Sequence, residues 1–151
     1  MTDTAETAAL PLRRPHDNQY LAGNYAAVES EVTAHDLPVV GEIPVELEGR
    51  WLRNGPNPES VDDPALHHWF LGTGMVHGVR LRGGKAEWYK NRFVLNAADR
   101  VAGLFGSNTN VGGFAGTTWA MVEGGQPPVE LDYELNSLGI NRFHDTLDGP
   151  F

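Results

Sequence analysis

Val79-Arg80-Leu81-Arg82-Gly83-Gly84-Lys85-Ala86-Glu87-Trp88 reads as two short strands joined by a two-residue turn. A tight hairpin needs positive φ angles at the turn, and glycine adopts them without steric cost. Counting outward from Gly83-Gly84 pairs Leu81 with Ala86, Arg80 with Glu87 and Val79 with Trp88. Val79, Leu81, Ala86 and Trp88 then share one face, and Arg80 opposes Glu87 on the other. Cross-strand pairs of both kinds contribute about 0.2–1 kcal/mol each. Only a β reading sorts these residues so cleanly, and the expected class is all-β with a minor helix.

Working outward, Thr117 to Glu123 and Val129 to Tyr133 form a second expected strand pair, separated by Gly124-Gly125-Gln126-Pro127-Pro128. Leu47 to Leu52 is an expected short strand, closed by a loop at Asn54-Gly55-Pro56-Asn57-Pro58. Between the two hairpins, Asn96 to Phe105 suits one short helix, with Asn96 as its N-cap and Asp99 in its first turn. With 18 glycines and 10 prolines in 151 residues, short elements and many turns are expected throughout. Residues 1–18 are small, polar and proline-punctuated, and are expected to be a disordered lead-in. Residues 19–48 are expected to lie as an arm over a β body formed by 49–151. That body would end on unpaired strand edges, which complete proteins normally cover. A piece truncated at its C-terminal end is therefore expected.

Composition removes several function classes. The chain carries 11 basic and 20 acidic residues, a formal charge of −9, with no basic block. Such a field repels phosphate backbones, so nucleic acid is not an expected partner. Cysteine is absent, which excludes disulfides, thiolate catalysis and thiolate-bound metals. No run approaches the roughly 20 apolar residues of a membrane span, and Met1 to Arg14 lacks the apolar core of a signal peptide. A cytoplasmic location is expected, with at most peripheral contact to a membrane surface and no obligate protein partner.

Six histidines are present: His16, His35, His67, His68, His77 and His144. His67 and His68 are adjacent, so on a strand they point to opposite faces and cannot clasp one ion. No pair has the i, i+4 spacing of a helical metal site. Gly72-Thr73-Gly74 and Gly112-Gly113 fit no phosphate loop, and turn or close-packing roles account for them better. No serine sits in a nucleophile elbow. One residue breaks its local pattern. Trp119, Met121 and Glu123 alternate onto one strand face, so a carboxylate follows two large apolar groups. Either Glu123 turns into solvent at the strand end, or it is partly buried and needs a dedicated partner such as a histidine ring N–H.

Six segments in register carry a family resemblance. They are Gly49-Arg50-Trp51-Leu52-Arg53-Asn54-Gly55-Pro56-Asn57-Pro58, His67-His68-Trp69-Phe70, Gly74-Met75-Val76-His77-Gly78-Val79-Arg80-Leu81, Tyr89-Lys90-Asn91-Arg92-Phe93-Val94, Asn108-Thr109-Asn110-Val111 and Ala120-Met121-Val122-Glu123-Gly124-Gly125. From about Asn18 to Phe151 the chain resembles the N-terminal section of the carotenoid cleavage oxygenases, a family with apocarotenoid- and stilbene-cleaving members. The resemblance implies the first blades of a seven-bladed β-propeller longer than this chain. It also implies an Fe(II) ion on the propeller axis, held by four histidines and backed by three glutamates. The implied reaction splits a conjugated C=C bond of an apolar polyene or stilbene with dioxygen, giving two carbonyl products.

Residue by residue, the resemblance makes Glu123 the carboxylate behind an iron-binding histidine and puts Thr109 beside the vacant iron position. It implies no iron ligand within this chain, the first being expected just after Phe151, so the piece alone is expected to bind no iron and to be inactive. Leu71 and Thr73 stand where acidic residues are frequent, and Phe114 where a histidine is common, which leaves the substrate open. The competing reading is a non-enzymatic β-rich binding or scaffold protein derived from a truncated relative.

Overall fold

The Gly83-Gly84 turn forms with φ of 55° and 73° and joins β3 (Thr73–Arg82) to β4 (Lys85–Phe93). The computed structural model that shows this describes residues 18–94, 110–121 and 127–147. Leu81 faces Ala86, as counted from the turn, but the ladder then departs from the count. Arg80 lies opposite Trp88 and Val79 opposite Tyr89. Glu87 is the extra residue of a β-bulge, and a bulge sends every later side chain of its strand to the other face. Trp88 therefore does not join Val79; it turns into the core, where it is only 7% exposed. Burying the largest side chain of the hairpin outweighs one regular ladder pair. Glu87 instead bonds to Arg82 (2.8 Å) and approaches Arg80 at 3.7 Å.

Two four-stranded antiparallel sheets result. β1 (Thr33–His35), β2 (Gly49–Asn57), β3 and β4 form the first, ordered β1-β4-β3-β2. β5 (Asn110–Phe114), β6 (Thr117–Met121), β7 (Val129–Leu131) and β8 (Ser137–Ile140) form the second, in chain order. The β6–β7 pair is the second expected hairpin. The expected loop at Asn54-Gly55-Pro56-Asn57 is instead strand, because β2 stays paired with β3 as far as Asn57. Pro56 is tolerated there since β2 is an edge strand and the missing N–H faces no partner. Gly112-Gly113, expected in a turn or close-packing role, lies inside β5, where a Cβ on Gly112 would fall 3.1 Å from Met121 Cε. The short helix expected at 96–105 lies outside the described residues.

The sheets meet through Leu52, Val76, Trp88 and Val94 on one side and Val111, Ala120, Val129, Leu131 and Leu135 on the other. Leu135, wholly buried, plugs the space over Gly78, where a Cβ would fall 2.8 Å from its Cδ1. Polar ties flank this apolar centre. Arg50 donates to the Tyr133 carbonyl (2.8 Å) and the Thr118 hydroxyl (2.7 Å), and buried Lys90 pairs with Glu134.

Residues 18–35 run along the first sheet, held by two asparagine side chains that read main chain in both directions. Asn57 accepts from the Val28 N–H (2.7 Å) and donates to its carbonyl (2.9 Å). Asn91, 1% exposed, accepts from the Val32 N–H and donates to the Ser30 carbonyl (3.2 Å). Asn91→Leu keeps the volume but strands two main-chain polar groups, so urea denaturation is expected to show a loss of about 1–3 kcal/mol. An unchanged midpoint would mean that water replaces the amide.

Candidate functional site

Thr109 and Glu123 both lie outside the described residues, but the ladder that leads to them is described. Its last pair is Asn110 with Met121. In sequence, Thr109 directly precedes Asn110 and Glu123 follows Met121 by two positions. The alternation expected for β6 holds: Thr118 and Ala120 are buried against the first sheet, while Trp119 and Met121 take the opposite face. At this end β2 meets β5, and the Asn54 side chain donates to the Asn110 carbonyl at 3.1 Å. Asn54 Oδ1 is enclosed and has no hydrogen-bond partner among the described residues.

The described histidines are spread over separate elements. His77 shares a hydrogen bond with the Tyr89 hydroxyl (2.9 Å). His68 Nδ1 accepts from the Phe70 N–H (3.3 Å), and the His67 carbonyl accepts from Asn18 (2.8 Å). His35 lies in β1 and His144 in the turn after β8. Among the described residues no three His, Asp or Glu side chains converge. These residues do not fit an iron centre by themselves, and none is assigned to them.

Burial, and secondarily the Arg53 guanidinium, push His77 down to a pKa of about 4. A group whose folded pKa lies below its unfolded one takes up its proton mainly on unfolding. Stability is therefore expected to fall as pH drops from about 6.5 toward 4. Melting of the chain against His77→Phe across that window measures it, and the variant's curve should be flatter. Parallel curves would remove His77 as the cause.

One feature escaped the sequence reading. Residues 18–28 and the segment between β2 and β3 enclose a cavity of about 370 Å³, floored by Arg53, Met75 and His77. Tyr20, Tyr25 and Trp69 form its wall, in edge-to-face contacts of 4.4–6.1 Å. These residues come from distant points of the chain, so no local pattern announces them.

The family model described as Retinal pigment epithelial membrane protein matches residues 25–150. The chain is 49% identical over 149 residues to a carotenoid cleavage oxygenase of Mycobacterium tuberculosis, covering 89% of this chain and 30% of that protein. This chain belongs to the carotenoid cleavage oxygenase family. Two solved structures agree with the fold of this carotenoid-oxygenase chain. The Pseudomonas brassicacearum lignostilbene dioxygenase superposes with a TM-score of 0.70 at 22% identity, covering 91% of this chain and 33% of that one. A cobalt-substituted Synechocystis apocarotenoid oxygenase gives 0.66 at 24%, covering 80% and 31%. Family members of this kind are β-propellers, and the two sheets are two of the blades. The chain spans about 30% of the length of the Mycobacterium relative.

Proposed function

We propose that these residues belong to an Fe(II)-dependent dioxygenase that cleaves a conjugated C=C bond of a carotenoid, apocarotenoid or stilbene. The observation that carries this reading is the 49% identity sustained over 89% of the chain. That the Synechocystis apocarotenoid oxygenase takes a cobalt substitution supports a metal in the whole enzyme. In this reading the iron-binding histidines lie outside this chain. Glu123 accepts the ring N–H of one of them, and Thr109 stands beside the open iron position. Their sequence neighbours Asn110 and Met121 are paired across β5 and β6, which supports reading the two residues as one site. The substrate is an apolar polyene or stilbene that reacts with dioxygen.

The test is a full-length parent enzyme incubated aerobically with β-carotene, an apocarotenal and resveratrol, its aldehyde products resolved by chromatography. Cleavage of at least one substrate, lost on chelation and restored by Fe(II), is the expected result. A full-length protein that cleaves none would leave the binding or scaffold reading. The 151-residue chain alone is expected to retain no iron after desalting, since a histidine centre needs at least three convergent ligands. One tightly held iron per chain would overturn the assignment of the ligands elsewhere.

A further inference from the structure

The chain carries 20 Asp and Glu residues, yet among the described residues none of them lines the cavity under residues 18–28. The charged group that does line it is Arg53. Among the described residues of the first sheet, Arg50, Arg80, Arg82 and Arg92 each engage a carboxylate, carbonyl or hydroxyl. Arg53 engages none, and its neighbour across the ladder is His77. Burial holds both His67 and His77 below the ordinary imidazole range. At neutral pH, Arg53 is therefore the only full charge among the described residues of the lining.

Opposite that charge the wall is aromatic. Tyr20 and Tyr25 of the arm meet Trp69 edge to face, with ring centroids 5.5 and 4.4 Å from it. These walls belong to this chain, closed by its own arm, and are not an open blade face. A volume of about 370 Å³ is on the scale of a small-molecule pocket. An arginine fork grips a carboxylate through two parallel hydrogen bonds, and aromatic walls take a flat ring in stacked or edge-on contact. We propose that the cavity is a binding site for a planar aromatic monocarboxylate, its carboxylate on Arg53 and its ring against Tyr25 and Trp69. Such a ligand touches arm and sheet at once, so it ties the arm down and stabilises the folded state by mass action. Binding of this kind involves no iron, and the inference is independent of the proposed dioxygenase activity.

Calorimetric titration with 2-naphthoate, on the 151-residue chain and on a full-length parent, tests it. Saturable binding at one site and a raised melting temperature are expected for both. 2-Naphthamide has the same ring without the charge and is expected to bind about tenfold more weakly, or worse. Acetate, the head group alone, should give no measurable heat. Arg53→Gln removes no contact among the described residues, so its circular dichroism should match wild type while affinity for 2-naphthoate falls about tenfold or more. Arg53→Lys keeps the charge but not the fork and should fall between the two. Arg82→Gln removes the same charge outside the cavity, where Arg82 pairs with Glu87, and should bind as wild type does. Absence of binding to either protein, equal affinity for 2-naphthoate and 2-naphthamide, or equal losses in Arg53→Gln and Arg82→Gln would each overturn the proposal. Binding to the 151-residue chain but not to the parent would overturn it too, because the rest of the protein would then fill the cavity.

Discussion

Gly78→Ala is expected to destabilise the chain by about 1–3 kcal/mol through overpacking alone. The added methyl would lie 2.8 Å from Leu135 Cδ1, 2.8 Å from Leu52 Cδ2 and 3.3 Å from Trp88 Cζ3. Trp88 and Leu135 are 7% and 0% exposed, so these side chains have little room to retreat. Leu135→Ala removes the plug from the other side and is expected to cost about 2–5 kcal/mol, as buried leucine truncations do. The two changes are not independent. In the double variant the methyl at position 78 occupies part of the space that the shortened side chain vacates. Its loss should therefore be smaller than the sum of the single losses, by about 0.5–3 kcal/mol of coupling. Urea denaturation of the four proteins reads this cycle directly. Strict additivity would mean that Gly78 and Leu135 do not form the joint between the sheets.

In a full-length parent, Glu123→Gln is expected to lower iron retention or turnover by about 10–100-fold, the usual scale for groups that orient a metal-bound histidine. An ionised carboxylate is the strongest acceptor for a ring N–H. Glutamine keeps the size and one acceptor oxygen but loses the charge. Circular dichroism should not change, since no large volume change accompanies the substitution. Glu42→Gln, on the exposed segment before β2, is the comparison and should be close to silent in all three measurements. Equal behaviour of the two variants would return Glu123 to the alternative left open by the sequence, a solvated carboxylate at a strand end. Iron content and turnover must both be measured, because a loss of turnover per bound iron and a loss of iron itself have different causes.

Local chemistry made the hairpins legible: Gly83-Gly84 can turn tightly, and the alternation of apolar and charged residues around it belongs to a strand. The same local logic misplaced Trp88. It assumed a regular ladder, whereas the bulge at Glu87 follows from the space that the second sheet leaves open. The Asn54-Gly55-Pro56-Asn57 stretch looked like a loop for a similar reason. Nothing within it reveals that β3 runs alongside, or that Pro56 faces the edge of a sheet. Glu123 stood out as a carboxylate among large apolar neighbours, yet the residues that tie down the approach to it came from elsewhere. Asn54 reaches Asn110 across 56 positions of sequence.

By itself, then, the sequence determined the β class, the Gly83-Gly84 turn and the order of six motifs, because each is written in residues close together along the chain. The tertiary structure alone decided which face of each strand is dry, where Leu135 seals the joint, and that two asparagines hold the chain before β2. It also decided that Tyr20, Tyr25, Trp69, Arg53 and His77 surround one cavity. Those outcomes depend on contacts between residues distant in sequence, and spacing along the chain holds no record of them.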